Sequence, residues 1–80
     1  MRLSDYECVR VLSEEGAFSA AAQRLGMTQP GLSILIARLE KQCGVKLVDR
    51  AAKPLKLTSE GVKWIEVEAQ IEALRENRRR

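Results

Sequence analysis

The sequence contains no histidine, only two cysteines, and one residue each of tryptophan, tyrosine and phenylalanine among its 80 residues. Two thiols cannot complete a tetrahedral zinc site, and disulfide frameworks usually contain more cysteines. No paired-carboxylate pattern or glycine-rich phosphate loop compensates for the missing histidine, which argues against an enzyme. We therefore predict no catalytic residue, no metal site and no cofactor. Cys8 and Cys43 are interpreted as small apolar residues, buried or half-buried, with redox sensing as the alternative.

Long hydrophobic runs are also missing. No apolar run approaches the roughly 20 residues that a membrane-spanning helix requires, and Met1 does not open a secretory signal. We therefore predict a cytoplasmic protein that has no membrane partner. Eighty residues form one domain at most, and a chain of this size buries only about 60% of its unfolded surface. A single compact core, or additional support from an oligomer, is expected.

Basic residues are concentrated in one part of the chain, although the net charge is only +3. Residues 38–63 contain seven basic and three acidic residues, a local charge of +4, while the rest contains seven basic and eight acidic residues, or −1. This distribution points weakly to a polyanionic partner such as nucleic acid. On this observation alone, a solvated surface without a partner is the somewhat better explanation.

The first part of the chain predicts two helices. Apolar residues recur at helical intervals of about three in the first segment, at Leu3, Tyr6, Val9 and Leu12. Gly16 ends this helix, for which Ser4 and Asp5 are the candidate caps. The alanine-rich stretch "FSAAAQRLG" predicts a second, short helix that is capped by Ser19 and ended by Gly26.

The segment "TQPGLSILIARLEKQCG" predicts a third helix with two different faces. Thr28 is a good N-cap, Pro30 fits the first turn, and Gly44 ends the helix. At about 100° per residue, one narrow apolar stripe is predicted to face the core: Leu32, Ile36, Leu39 and Cys43. The opposite face is left free for another role: Pro30, Ser33, Ile34, Ala37, Arg38 and Lys41.

The hydrophobic period changes after the third helix. Apolar and polar residues alternate around Val45, Leu47, Leu55 and Leu57, which predicts two short strands joined around residues 51–54. Thr58 can cap a last, longer helix. Its apolar residues follow the spacing of a heptad seam: Trp64, Val67, Ile71 and Leu74. A small core cannot cover this helix fully, so we predict a homodimer through the seam, with packing on its own domain as the alternative.

The order of the elements is typical of a DNA-binding architecture. A short helix, a tight turn at residues 26–28 and a helix with a free outer face form the helix-turn-helix pattern, whose second helix enters the major groove. The following hairpin corresponds to a wing. We predict a mainly α fold: a winged helix-turn-helix of three helices and a two-stranded wing at residues 1–58, followed by a long C-terminal linker and dimerisation helix at residues 59–80.

At these positions the sequence resembles the DNA-binding domain of LysR-type bacterial transcriptional regulators. The matching residues, within residues 1 to about 75, are Ala21, Ala22, Leu25, Thr28, Gln29, Pro30, Ser33, Ile36, Leu39, Glu40, Gly44, Leu47, Arg50, Leu57, Thr58 and Gly61. The resemblance implies a dimer that binds an inverted repeat in double-stranded DNA sequence-specifically. It also implies that a larger effector-binding domain normally follows. The chain is then a fragment of a protein that can be a tetramer, rather than a stand-alone reader, and this segment binds no small molecule.

The resemblance assigns roles to individual residues. Gln29 corresponds to a base-reading glutamine, whose amide can bond to adenine through two hydrogen bonds. Pro30 and Ser33 correspond to neighbours that contact thymine methyls, sugar or phosphate. The predicted DNA-contacting residues are Ser19, Gln29, Pro30, Ser33, Ile34, Arg38, Arg50 and Lys53.

Three of these residues have two possible roles each. Arg50 either contacts a phosphate or forms a salt bridge with a nearby acid such as Glu40. Lys53 either points from the wing tip towards the minor groove or a phosphate, or is merely solvated. Ser19 either offers its hydroxyl and helix start to a phosphate or only caps its helix.

Some positions depart from the family pattern. Ile34 and Ala20 stand where basic residues are common, and Leu35 replaces a polar residue. Less positive charge should weaken phosphate-driven affinity and flatten its salt dependence. Ile34 can pack on a thymine methyl or face a protein, so a second hypothesis is a winged-helix protein-interaction module with weakened DNA binding. A third is the winged-helix domain of a molybdate-responsive regulator, which the Thr-Gln-Pro start of the third helix fits less well.

Overall fold

The computed structural model describes residues 3–78, which form four helices and a two-stranded sheet. The helices are α1 (Asp5–Glu15), α2 (Phe18–Leu25), α3 (Gln29–Cys43) and α4 (Ser59–Arg78), and the strands are β1 (Val48–Asp49) and β2 (Lys56–Leu57). This order confirms the predicted winged helix-turn-helix with a long C-terminal helix. Residues 1–2 and 79–80, the two ends of the predicted segments, lie outside the described range. Within that range, no helix combines the length and the apolar character needed to span a bilayer.

Local signals determine where the first two helices begin. Ser4 caps α1: its hydroxyl accepts a hydrogen bond from the Glu7 backbone N–H at 3.1 Å, and the Glu7 carboxylate accepts one from the Ser4 N–H. The prediction that Ser19 caps α2 is wrong, because α2 follows Ala17, which makes no side-chain cap. The left-handed Gly16 and the extended Ala17 complete the connection, so the helix has already begun at Ser19.

The turn between α2 and α3 is held by its own backbone. Gly26 adopts a left-handed conformation (φ 71°), which lets the Met27 N–H donate to the Ala22 carbonyl at 2.9 Å. Thr28 then caps α3, and its hydroxyl accepts a hydrogen bond from the Gly31 N–H at 3.1 Å. The helix-turn-helix geometry is thus encoded locally by three consecutive residues.

The core lies where α1, α2, α3 and the base of the wing meet. Its buried apolar side chains are Cys8, Val9, Val11, Leu12, Ala21, Ala22, Leu32, Ile36, Leu39, Leu47, Val48 and Leu55. Ala21 and Ala22 are the buried residues of α2, and their small size allows α1 and α2 to approach closely. The stripe predicted for α3 is confirmed at Leu32, Ile36 and Leu39.

The two cysteines, both free thiols, have different environments. Cys8 is buried as predicted, and burial raises the pKa of its thiol, with a further contribution from Asp5 and Glu7. The prediction that Cys43 is buried or half-buried on the core stripe is wrong, since it is exposed. Cys43 lies in the last turn of α3, where it borders an open depression beside Trp64 instead of the core.

The wing is shorter than predicted. The antiparallel register pairs Val48 with Leu57 and Asp49 with Lys56. Val45, predicted to alternate inward on the first strand, is 42% exposed and precedes β1. Alternation fails because the chain before β1 runs between α3 and α4, so the consecutive residues Leu47 and Val48 are both buried. The far side of the wing is fixed by the Leu55 N–H, which donates to the Gly16 carbonyl at 2.9 Å.

The start of α4 is joined to the segment before β1. The Thr58 hydroxyl accepts a hydrogen bond from the Gly61 N–H at 3.0 Å, as expected for a cap, and donates one to the Lys46 carbonyl at 2.6 Å. Trp64 and Ile65 pack against the core. The first turns of α4 therefore belong structurally to the winged domain, and α4 also contacts α1.

Candidate nucleic-acid interface

The outer face of α3 is open to solvent along the helix. The exposed residues are Gln29, Pro30, Ile34, Ala37, Arg38 and Lys41, and Ser33 is half-buried. Ile34 is 65% exposed, the highest value among the large hydrophobic side chains in the described part of the chain. The face predicted to be free is therefore not covered by the rest of this chain.

Gln29 occupies a well-defined position at the start of α3. It is the first residue of α3 and directly follows the Thr28 cap, whose bond to the Gly31 N–H fixes the first turn. Gln29 is exposed, and its carboxamide bonds to no other side chain or backbone group within residues 3–78. Its donor and its acceptor are both available for a partner.

Arg50 connects the wing with both helices of the helix-turn-helix. Its Nη1 donates a hydrogen bond to the Ser33 Oγ at 3.2 Å, and its guanidinium carbon lies 4.6 Å from the centroid of the Phe18 ring. Its Nη2 lies 3.9 Å from the Glu40 Oε1. Of the two roles predicted for Arg50, the salt bridge with Glu40 is formed, and the phosphate contact stays a prediction. The contact with Phe18 has no sequence signal, because the residues are far apart in the chain.

Glu40 is the buried anion of this network. It is only 5% exposed, and its Oε2 accepts hydrogen bonds from the backbone N–H groups of Leu47 at 2.8 Å and Val48 at 3.2 Å. Its Oε1 has no hydrogen-bond partner in the described structure, and the Arg50 guanidinium supplies the opposite charge. The carboxylate thus links α3 to the first strand of the wing. From the sequence, Glu40 was one position of the family pattern and a possible partner of Arg50; its burial and its bonds to the wing were not predicted.

The remaining predicted contact residues lie at different places around α3. Lys53 is exposed in the loop between β1 and β2, next to Pro54, which approaches Gly16 at the turn before α2. Ser19 is exposed in the first turn of α2, close in the chain to that same turn. Arg38 instead borders a depression beside Asp5, towards the start of α1. Arg50 of the wing thus contacts Phe18 at the start of α2 and Ser33 of α3, whereas Arg38 lies further along α3, beside Asp5.

The predicted seam on α4 is only partly covered by its own domain. Trp64 and Ile71 are half-buried, whereas Val67 is 56% and Leu74 is 64% exposed. Trp64 and Val67 also line an open depression of about 370 Å³, together with Leu47 and Val45. Packing on the same domain therefore explains Trp64 but leaves apolar surface on the outer half of the helix.

The comparison with known families agrees with this architecture. Residues 3–62 match the model described as bacterial regulatory helix-turn-helix protein, lysR family. The chain belongs to the LysR family. The matched residues run from α1 into the first turn of α4, so the described segment is the winged helix-turn-helix DNA-binding domain of that family. The resemblance drawn from the sequence is confirmed.

Three proteins with similar sequences are HTH-type transcriptional regulators of bacteria. An uncharacterized HTH-type transcriptional regulator of Azotobacter vinelandii is 41% identical over 61 residues, which cover 76% of this chain and 42% of that protein. BenM of Acinetobacter baylyi is 44% identical over 48 residues (60% and 16%), and IlvR of Caulobacter vibrioides is 36% identical over 84 aligned positions (100% and 28%). The chain spans less than half the length of these relatives.

Solved structures show the same LysR fold. The BenM DNA-binding domain, in a complex with benA site 1 DNA, superposes with a TM-score of 0.84 and 30% identity, covering 96% of this chain and 86% of that one. The CbnR DNA-binding domain, also in a DNA complex, gives a TM-score of 0.84 and 28% identity, covering 96% and 88%. These LysR neighbours favour the family assignment over the molybdate-responsive alternative.

Proposed function

We propose that this LysR domain binds double-stranded DNA sequence-specifically, with α3 in the major groove and Gln29 as its main base-reading residue. The observation that supports this proposal is the exposed carboxamide of Gln29 at the capped start of α3, which makes no hydrogen bond within residues 3–78. An amide in this position can offer a donor and an acceptor to the edge of an adenine. The DNA complexes of BenM and CbnR, which have the same fold, support DNA binding by this domain.

The other predicted contacts divide into two groups. Pro30, Ser33 and Ile34 lie on the outer face of α3 and are proposed to meet base edges, sugar or phosphate. Ser19, Lys53, Arg38 and Arg50 surround the helix and are proposed to contact the DNA backbone, where positive charge and backbone N–H groups supply affinity without reading sequence. Arg50 already bonds to Ser33, so a phosphate contact has to share its guanidinium donors with that bond.

Two substitutions distinguish a residue that reads a base from one that contacts the DNA backbone. Gln29→Ala should reduce discrimination at one base pair by about 1–3 kcal/mol, because a bidentate contact is lost. Lys53→Ala should weaken binding to all sequences to a similar extent. It should also lower the magnitude of the slope of log affinity against log salt concentration by about one. Duplexes selected from a random pool, with mobility shifts at two salt concentrations, measure both effects. If the parent domain selects no sequence, the proposed function is contradicted. If both variants bind like the parent, the proposed residue roles are contradicted.

We also propose that residues 1–58 form the DNA-binding unit and residues 59–80 a linker helix that pairs with a second copy. The exposed apolar side chains of Val67 and Leu74 support this dimer, because a single domain leaves them in water. Two copies related by a two-fold axis would present two α3 helices to an inverted repeat. For the whole molecule, we propose a longer protein that also has an effector domain. It acts in the cytoplasm as a non-enzymatic regulator and can form a tetramer.

A charge on the seam should separate the copies. Val67→Glu is expected to halve the molar mass, because a carboxylate would be buried in an apolar interface, while the exposed position leaves the monomer fold intact. Gln70→Glu is the matched control, since it adds the same charge to an exposed position of α4 outside the seam. Light scattering coupled to gel filtration measures the mass. An unchanged dimer mass in Val67→Glu contradicts the proposed seam.

A protein-interaction module with weakened DNA binding remains the second candidate function. The observation that favours it is the exposed Ile34, which replaces positive charge on the face of α3. This candidate predicts no selected DNA sequence and no steep dependence of DNA binding on salt, so the same selection experiment distinguishes the two functions.

A further inference from the structure

Ile34 is the most exposed large hydrophobic side chain in the described part of the chain, and it lies in the middle of α3. The fully buried residues Leu32 and Ile36 stand two positions before and after it. Two positions correspond to a rotation of about 200° around a helix, so Ile34 points away from the core. Ile34 is not part of the core, and most of its side chain is exposed to water.

Ile34 belongs to a narrow apolar strip on the outer face of α3. Pro30 lies one turn before it and Ala37 one turn after it, and all three are exposed. Ser33 is the next residue around the helix from this apolar strip. Gln29, five residues before Ile34, lies about 140° away around the helix, at its exposed start. The apolar strip is therefore a contact surface separate from the Gln29 carboxamide and further along the same helix.

The small size of the apolar strip indicates what it contacts. Stable protein interfaces bury about 800 Å² on each partner, far more than three residues provide. Its surroundings are also cationic, because Arg38 and Lys41 follow on the exposed side of α3 and residues 38–63 carry a net charge of +4 (seven basic minus three acidic residues). A polyanion with a small apolar group on its surface fits both observations better than a protein does.

The major groove of DNA presents one apolar group on its base edges, the 5-methyl group of thymine. Other base edges carry amino groups, carbonyl oxygens or ring nitrogens, which would lose their water against an isoleucine without gaining a hydrogen bond. We infer that Ile34 reads the methyl group of a thymine a few base pairs from the one contacted by Gln29. The inference rests on the proposed function, and it adds a second reading residue that works without charge.

The spacing along α3 limits where this thymine lies. Ile34 follows Gln29 by five residues, which corresponds to about 7.5 Å along a helix axis. Base pairs are separated by about 3.4 Å, so the thymine is expected within about two or three base pairs of the one that Gln29 contacts. The domain then gains sequence discrimination at this position without gaining affinity for phosphates.

Deoxyuridine tests the inference, because it lacks the methyl group of thymine but keeps its hydrogen-bonding edge. In the tightest duplex selected from a random pool, each thymine is replaced singly and binding is measured by fluorescence anisotropy. One replacement should lower the affinity of the parent about fourfold, the value of one buried methyl group. Ile34→Ala should bind the unmodified duplex more weakly and lose its sensitivity to that replacement, whereas Ile34→Val should retain it.

The possible outcomes separate the inference from the function on which it rests. If the parent selects no duplex, the proposed function fails and the inference fails with it. If a duplex is selected but the effect of every deoxyuridine is the same in the parent and in Ile34→Ala, the inference alone is overturned. Unchanged affinity of Ile34→Ala for the selected duplex also overturns it.

Discussion

Replacing Glu40 with alanine is expected to remove about 3 kcal/mol or more from the free energy of unfolding of the domain. The Glu40 Oε2 accepts the backbone N–H groups of Leu47 and Val48, which are 0% and 3% exposed and cannot reach water. Each buried donor left without an acceptor costs about 1–3 kcal/mol. Alanine also removes the ion-pair partner of Arg50. Since a domain of 80 residues has a total stability of only about 4–12 kcal/mol, this single change should remove much of it.

The glutamine variant separates hydrogen bonding from charge at this position. Glu40→Gln keeps one side-chain oxygen that can accept both backbone N–H groups. It loses the ion pair with Arg50, 3.9 Å away, and places an amide NH2 without an acceptor at the buried position of Oε1. We therefore expect glutamine to cost about 1–2 kcal/mol, less than alanine. Glu66→Ala, on the exposed side of α4, should stay within about 0.5 kcal/mol of the parent.

Urea unfolding followed by circular dichroism measures these differences through the transition midpoint. A second readout concerns the wing: hydrogen exchange at the Leu47 and Val48 amides should accelerate in the alanine variant before the helices lose protection. If Glu40→Ala unfolds at the same urea concentration as the parent, Glu40 does not hold the segment before β1 to α3 in solution.

The helices were predictable from the sequence because their signals are local. The hydroxyls of Ser4 and Thr28 and the left-handed glycines at positions 16, 26 and 44 act within a few residues of the chain. The period of Leu32, Ile36 and Leu39 is equally local, and it determines both the buried and the exposed face of α3. The exposed position of Gln29 follows directly from these features.

The errors occurred where tertiary packing decides. Cys43 continues the apolar stripe of α3, but it lies past the core and borders an open depression beside Trp64, so its side chain is exposed. Val45 alternates correctly in sequence, yet it precedes β1 and is 42% exposed, and the consecutive residues Leu47 and Val48 are both buried, so alternation does not apply there. The hydrogen bonds between Glu40 and the segment at Leu47 and Val48 join residues seven and eight positions apart. They leave no periodic signal in the sequence.

Gly61 illustrates a residue whose role only the structure explains. From sequence it was one position in a family pattern, on a helix where glycine is a poor choice by propensity. In the structure it is buried against the backbone of the segment before β1, and a Cβ on Gly61 would overlap the Leu47 carbonyl oxygen. That oxygen also accepts the Thr58 N–H at 2.9 Å.

Gly61→Ala is expected to lower the free energy of unfolding by about 2–3 kcal/mol, although alanine is the better helix former by about 1 kcal/mol. The overlap is relieved only if the backbone of Leu47 moves. That backbone is held by the Glu40 carboxylate on its N–H and by Thr58 on its carbonyl, while the Leu47 side chain is fully buried. The helix start and the wing therefore have to separate to admit one methyl group.

The melting temperature should fall by about 10–20 °C, since 1 kcal/mol corresponds to about 4–8 °C in a domain of this size. Gly44→Ala is the matched control: Gly44 has a left-handed backbone but open space around it, so only the conformational cost of about 1–2 kcal/mol applies. Because Gly61 and Glu40 act on the same residue, the cost of Gly61→Ala in the Glu40→Ala background should be smaller than in the parent. A melting temperature that rises in Gly61→Ala, or additive costs in the double variant, contradicts this close packing of α4 against the chain before β1.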